Sequence, residues 1–173
     1  MRSNRCLAKG FLTGMVGGLV ASWAMNQFWT LQSKLKEQPG DQKGEQSEND
    51  QQQRASDNPT TKVAEAIARP LLHRGLSDSE KTTGGSIVHY AFGALSGGIY
   101  GLLSEATPAA RAGFGLAYAT ALWLAADEGI VPALKLSPPP QESTLSEHLS
   151  GLGAHLVYGA TTEAVRRTLR AAA

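Results

Sequence analysis

An all-α, four-span transmembrane bundle is the fold class this sequence predicts. Two observations point to it first: residues 10–31 and 82–104 contain no Asp, Glu, Lys or Arg. At about 1.5 Å per helical residue each run reaches ~33 Å, enough for a hydrocarbon core of ~30 Å. The third is where the charge sits. Eight of the 16 Lys and Arg and nine of the 15 Asp and Glu lie between positions 32 and 81. The mean hydropathy of −0.20 therefore averages a polar insert with apolar flanks. A soluble bundle with glycine-rich core helices competes, and two uncharged runs of this length argue against it.

The first unit, 1–31, holds a short N-terminus and span one. Arg2, Arg5 and Lys9 precede the run, and Ser22-Trp23-Ala24 resembles a cleavage site, so a cleaved signal peptide stays open as an alternative. The apolar run continuing through Phe28 and Trp29 favours a retained span. The chain's one cysteine, Cys6, follows Arg5 rather than a small residue, which argues against a lipoprotein anchor. It also rules out a disulfide framework.

Residues 32–60 are rich in Gln, Glu, Asp, Lys and Ser and are expected to be disordered, having too little apolar surface to offset ordering entropy. Residues 61–81 form a connector. Val63, Ala66, Ile67 and Leu71 recur at helical spacing, which fits a helix on the membrane surface or one packed on the bundle. Pro70 should bend or end it. Ser77 and Glu80 have the spacing of a capping box opening span two.

The remaining unit, 82–173, carries three spans and a basic C-terminus. Span three, 112–134, is charge-free for its first part and then meets Asp127 and Glu128. Pro138, Pro139 and Pro140 make a rigid turn. Span four, 148–165, holds His148, His155 and Glu163. Three Lys or Arg stand at each chain end against Lys135 alone in the 132–147 loop, which places both termini in the cytoplasm by the positive-inside tendency; the long 32–81 loop, with its eight, constrains topology weakly.

Small residues recur every four positions, which puts them on one helix face. Gly10, Gly14 and Gly18 do so in span one, Gly93, Gly97 and Gly101 in span two, Gly151 and Gly159 in span four. Lipid supplies no hydrophobic drive between helices, so close approach through small residues must supply the packing. The stretches 89–94 and 155–160 share the pattern H-x-x-[F/Y]-G-A, consistent with two duplicated helical hairpins.

With this topology Asn26, His89, Asp127, Glu128 and His155 converge on the outer side, and Glu105 and Glu163 on the inner side beside Arg111, Arg166 and Arg167. Ionisable groups in hydrocarbon cost at least about 2.5–3.5 kcal/mol each, so they seek partners or water. Histidine titrates near neutral pH, which makes the outer cluster a candidate proton or ion site as well as a structural one. No cofactor and no metal are assigned. Two imidazoles with carboxylates keep a metal site, or a b-type haem on His89 and His155, open as further alternatives.

There is no G-x-S-x-G, G-x-G-x-x-G, Walker loop or H-E-x-x-H, so no catalytic residue is assigned and an enzyme is not expected. A net charge of +1 offers no nucleic-acid footprint. The expected partner is the lipid bilayer, and the glycine-notched spans are compatible with a homo-oligomer.

From His89 onward the chain resembles the YagU-like family of bacterial inner-membrane proteins. The resemblance rests on His89 opening a glycine-rich span and on Ser104-Glu105-Ala106-Thr107-Pro108, similar to the family's A-E-x-x-P turn. It continues through 113–123, 136–139, 153–157 and 163–167. It departs at 32–60 and at Asp127-Glu128. The resemblance implies an integral inner-membrane protein with no established activity and transfers no catalytic residue. The functional expectation is a non-enzymatic membrane protein whose His/carboxylate cluster responds to pH or supports envelope stress tolerance. A small transporter or channel subunit is the alternative.

Overall fold

The computed structural model describes residues 4–36 and 58–172. The described residues are α-helical with turns and contain no strand. The helices are α1 (Asn4–Lys36), α2 (Pro59–Leu72), α3 (Asp78–Ala106), α4 (Leu116–Ala125) and α5 (Leu145–Ala172). Two of them, α1 and α3, are long and apolar enough to cross a membrane. α5 is long enough, but its charged residues dilute its apolar character.

α1 runs past the expected end of span one, so residues 32–36 are helical rather than part of a polar loop. Most of the segment expected to be disordered lies outside the described residues. Asn58 caps α2, its side chain accepting from the Thr60 backbone N–H. Pro70 does not end α2 at once; the helix closes two residues later, where His73 turns left-handed. Thr61 and Ala64 of α2 pack on Gly85 and Gly84 of α3, while Ile67 and Leu71 face outward. Lys62 Nζ donates to the Leu136 carbonyl at 3.0 Å, tying α2 to the proline turn.

The capping box at the start of α3 is formed: Ser77 N–H donates to Glu80 at 2.8 Å, and the Glu80 N–H returns to Ser77 Oγ at 3.4 Å. Arg74 clamps the same carboxylate. Its guanidinium and the Ser77 backbone hold the Glu80 carboxyl far below the usual carboxylate range.

α1 and α3 run antiparallel and touch backbone to backbone. A Cβ placed on Gly14 would land on the Gly97 carbonyl oxygen, and one on Gly18 would land on that of Gly93. Gly101 stands in the same way against Gly10. Stepping four residues along α1 thus meets a step of four back along α3, which is how two helices with small-residue stripes mesh. α5 packs on another face of α1, where a Cβ on Gly17 would sit 2.8 Å from the Thr162 carbonyl oxygen. Gly151 and Gly159 of α5 face α4, against Trp123 and Ala119 respectively. Consecutive members of the set α1, α3, α4 and α5 alternate in direction.

The third apolar segment is not one uninterrupted helix. Residues Pro108–Gly115 form a 3-10 segment in which Gly113, Phe114 and Gly115 are left-handed, at φ 64, 57 and 84°. The α-helix begins only at Leu116. Gly115 has a reason to be glycine: a Cβ there would sit 2.5 Å from the Gly159 carbonyl oxygen. A π-helical turn, Ala126–Ile130, then interrupts the ladder, with the Val131 N–H reaching back to the Ala126 carbonyl. Pro132 follows, and a proline without an N–H disturbs an α-helical ladder at this point. Segments one and three, which a duplication of hairpins would pair, are therefore not equivalent helices. The other half of the apparent repeat diverges as well. Phe92 points outward, whereas Tyr158 is buried and donates to the Gly93 carbonyl at 2.6 Å.

The interior is mostly small and polar, with Ala21, Ala94, Ala119, Ala154, Ser22, Ser96 and Thr162 buried together with Glu163 and Arg166, and Tyr100, Tyr158 and Met25 as its large members. Large apolar side chains face outward instead, among them Leu12 (60% exposed), Ile87 (63%), Leu95 (54%) and Leu124 (52%).

Candidate functional site

Polar groups gather at the two ends of the bundle, and each end is built differently. At the end where α3 and α5 begin, expected to be the outer one, the residues form separate sets. On the α4–α5 side, His155 lies 3.6 Å from Asp127 and donates through Nδ1 to the Gly151 carbonyl, 3.0 Å away. Two helical turns earlier on α5, His148 Nδ1 sits 2.7 Å from Glu128 while its Nε2 lies 3.1 Å from the Pro140 carbonyl. A ring with a backbone carbonyl on one nitrogen and a carboxylate on the other is held as a donor on both when protonated. The π turn makes this possible, because it sets Asp127 and Glu128 beside two histidines spaced two helical turns apart. The Trp123 ring packs edge-on to His148, at 6.4 Å between centroids, and Gly151 leaves room for its indole N–H.

The α1–α3 side is a second set. His89 Nε2 lies 3.4 Å from the Ser22 carbonyl, and Asn26 donates to the Tyr90 hydroxyl at 3.4 Å. His89 meets a backbone carbonyl rather than a carboxylate. The expected five-residue constellation is thus two neighbouring sets, His89 with Asn26 and the histidine–carboxylate pairs. Among the described residues no three His, Cys, Asp or Glu side chains come together as a metal ligand set.

The opposite end, expected to be the inner one, is an ion-pair network. Glu163 is fully buried and forks between Arg166, at 2.7 and 3.0 Å, and Arg167, at 2.6 Å. Arg166 is 4% exposed and also reaches Glu105, at 3.7 Å. Arg170 binds both oxygens of Glu105, Nε at 3.0 Å and a terminal nitrogen at 3.1 Å. Arg167 lies 4.7 Å over the Phe114 ring, which gives the left-handed Phe114 a packing partner. The Tyr100 and Ser104 hydroxyls are buried at this end beside Glu163.

Arg170 escaped the sequence reading, since only the parallel alignment of α3 with α5 brings it to Glu105. Helical spacing does reveal the Glu163–Arg166–Arg167 unit, at i, i+3 and i, i+4. Thr144 and Glu147 form a second capping box, with Thr144 N–H donating at 2.7 Å, and it was equally readable.

The arrangement sets two histidines beside two carboxylates at one end and an arginine–glutamate network at the other. The family described as "Protein of unknown function (DUF1440)" is matched over residues 49–164, about two thirds of the chain. No curated protein and no solved structure matches the chain.

Proposed function

This chain belongs to the DUF1440 family, and we propose that it is a non-enzymatic, multi-pass protein of the bacterial inner membrane that senses protons at its outer end. The membrane part of the reading is supported by the inverted distribution of side chains. Leu, Ile, Val, Phe and Trp face out, while Gly, Ala, Ser and a charged network are buried. Water would penalise such a surface, and lipid would not. The alternation of α1, α3, α4 and α5 supports four crossings with both termini on the basic, cytoplasmic side. The resemblance to YagU-like proteins supports the same membrane.

The observation that carries the sensing role is the double contact of the π turn with α5, His155 to Asp127 and His148 to Glu128. A protonated His148 makes a charge-assisted pair with Glu128 at 2.7 Å, and Asp127 lies beside His155 at 3.6 Å. As pH rises His148 loses its proton, its attraction to Glu128 weakens, and the π turn is loosened from α5 at that end. Such a response is one route to acid tolerance in the envelope. A transporter needs a polar path between the two ends. The backbone contacts of Gly14 with Gly97 and Gly18 with Gly93 leave no width for one along the α1–α3 seam, which favours sensing.

The test uses Trp123 as a reporter after Trp23 and Trp29 are changed to Phe. In detergent micelles its fluorescence should fall between pH 8 and pH 5 as the neighbouring imidazole of His148 becomes cationic. His148→Gln should remove that titration. A signal flat across this range in the parent protein would sink the proposal.

A further inference from the structure

The inner end holds more cation than its own carboxylates consume. A cleft of about 700 Å³ opens there, lined by Glu105, Pro108, Arg111, Arg166, Arg167 and Arg170. Around it stand four guanidiniums against two carboxylates, Glu105 and the buried Glu163. The surplus is not spread evenly. Arg166 and Arg170 spend their donors on the two glutamates. Arg167 gives Nε to Glu163, and the described hydrogen bonds leave its terminal nitrogens uncommitted. Arg111, on the 3-10 segment before α4, makes no hydrogen bond or ion pair with any described residue.

We propose that this cleft binds a phosphate-bearing anion, with Arg111 and Arg167 as the recognising forks. Guanidiniums match phosphate oxygens in geometry and give up hydration readily, which suits a site half out of water. The volume falls within the range of about 300–1,000 Å³ common for ligand clefts. Arg166 and Arg170 are fixed by Glu105 and Glu163, so the cationic wall is preorganised and binding does not have to order it. Pro108 supplies an apolar edge beside the charges. A phosphodiester headgroup of an anionic lipid and a soluble phosphate share this chemistry. The lipid source rests on the membrane reading above, whereas phosphate binding in micelles does not depend on it.

Full-length protein in neutral detergent is titrated with inorganic phosphate. In parallel it is placed in nanodiscs of phosphatidylcholine containing a small fraction of phosphatidylglycerol, and retained lipid is measured by mass spectrometry. Binding of either probe supports the site: phosphatidylglycerol enrichment alone names a lipid headgroup, and phosphate binding alone names a soluble ligand. Arg111→Gln should weaken the bound probe about tenfold with an unchanged melting temperature, because the side chain is exposed and unpartnered among described residues. Arg111→Lys should recover part of the loss. The proposal is overturned if neither probe binds, or if Arg111→Gln binds as tightly as the parent.

Discussion

Glu163 shows how a single residue organises this protein. Its carboxylate is wholly buried, yet it has three guanidinium contacts, from Arg166 and Arg167. Breaking a buried pair from one side leaves an uncompensated charge, at a cost of about 3–5 kcal/mol. Glu163→Gln would leave buried Arg166 with only the longer contact to Glu105, so a destabilisation near the lower end, about 3 kcal/mol, is expected. Arg167→Gln removes a guanidinium that is half exposed and should cost no more than about 1 kcal/mol. Thermal unfolding in detergent micelles compares the two, and equal losses would contradict the network described here. At the outer end, Asp127→Asn leaves the buried ring of His155 with the Gly151 carbonyl alone. The Trp123 titration should survive this change, since it reads His148.

Among the elements, the α1–α3 seam is the most demanding. A methyl group on Gly97 would collide with the backbone of α1 at Gly14 and Gly18, and a backbone cannot rotate away. A methyl group on the next residue, Gly98, meets the Phe11 ring and the Met15 side chain, which can move. Gly97→Ala should therefore cost about 1–3 kcal/mol, the range for overpacking, and Gly98→Ala distinctly less. Unfolding of both variants in the same detergent checks the order. The glycine faces themselves were legible in the sequence, because a repeat of four is a local property of a helix. The breaks in the third apolar segment were not. They depend on Gly115 closing against Gly159 and on the Phe114 ring lying under Arg167, and both contacts come from α5.

For the molecule as a whole, the direction of the side chains matters more than their number. Average hydropathy describes neither surface nor core, because the apolar residues are outside and the small ones inside. Both chain ends are expected on the cytoplasmic face, with the proline turn opposite. Cys6, the native thiol near the start of α1, offers a direct check. In intact cells a membrane-impermeant maleimide should leave Cys6 unlabelled until the membrane is opened. With Cys6→Ser and Leu136→Cys combined, the label should enter without permeabilisation. Labelling of both positions from outside would refute the topology.

Helix existence, the small-residue faces, the capping boxes and the Glu163–Arg166–Arg167 spacing follow from the sequence by itself, since each is set within one or two helical turns. The tertiary structure alone decided which polar residues meet. It joined Arg170 to Glu105, gave His155 to Asp127 and His148 to Glu128, and set His89 against a carbonyl of α1. Those pairings depend on how far each helix is rotated and shifted against its neighbours. That rotation is fixed by backbone contacts between glycines distant in the chain, which no local pattern encodes.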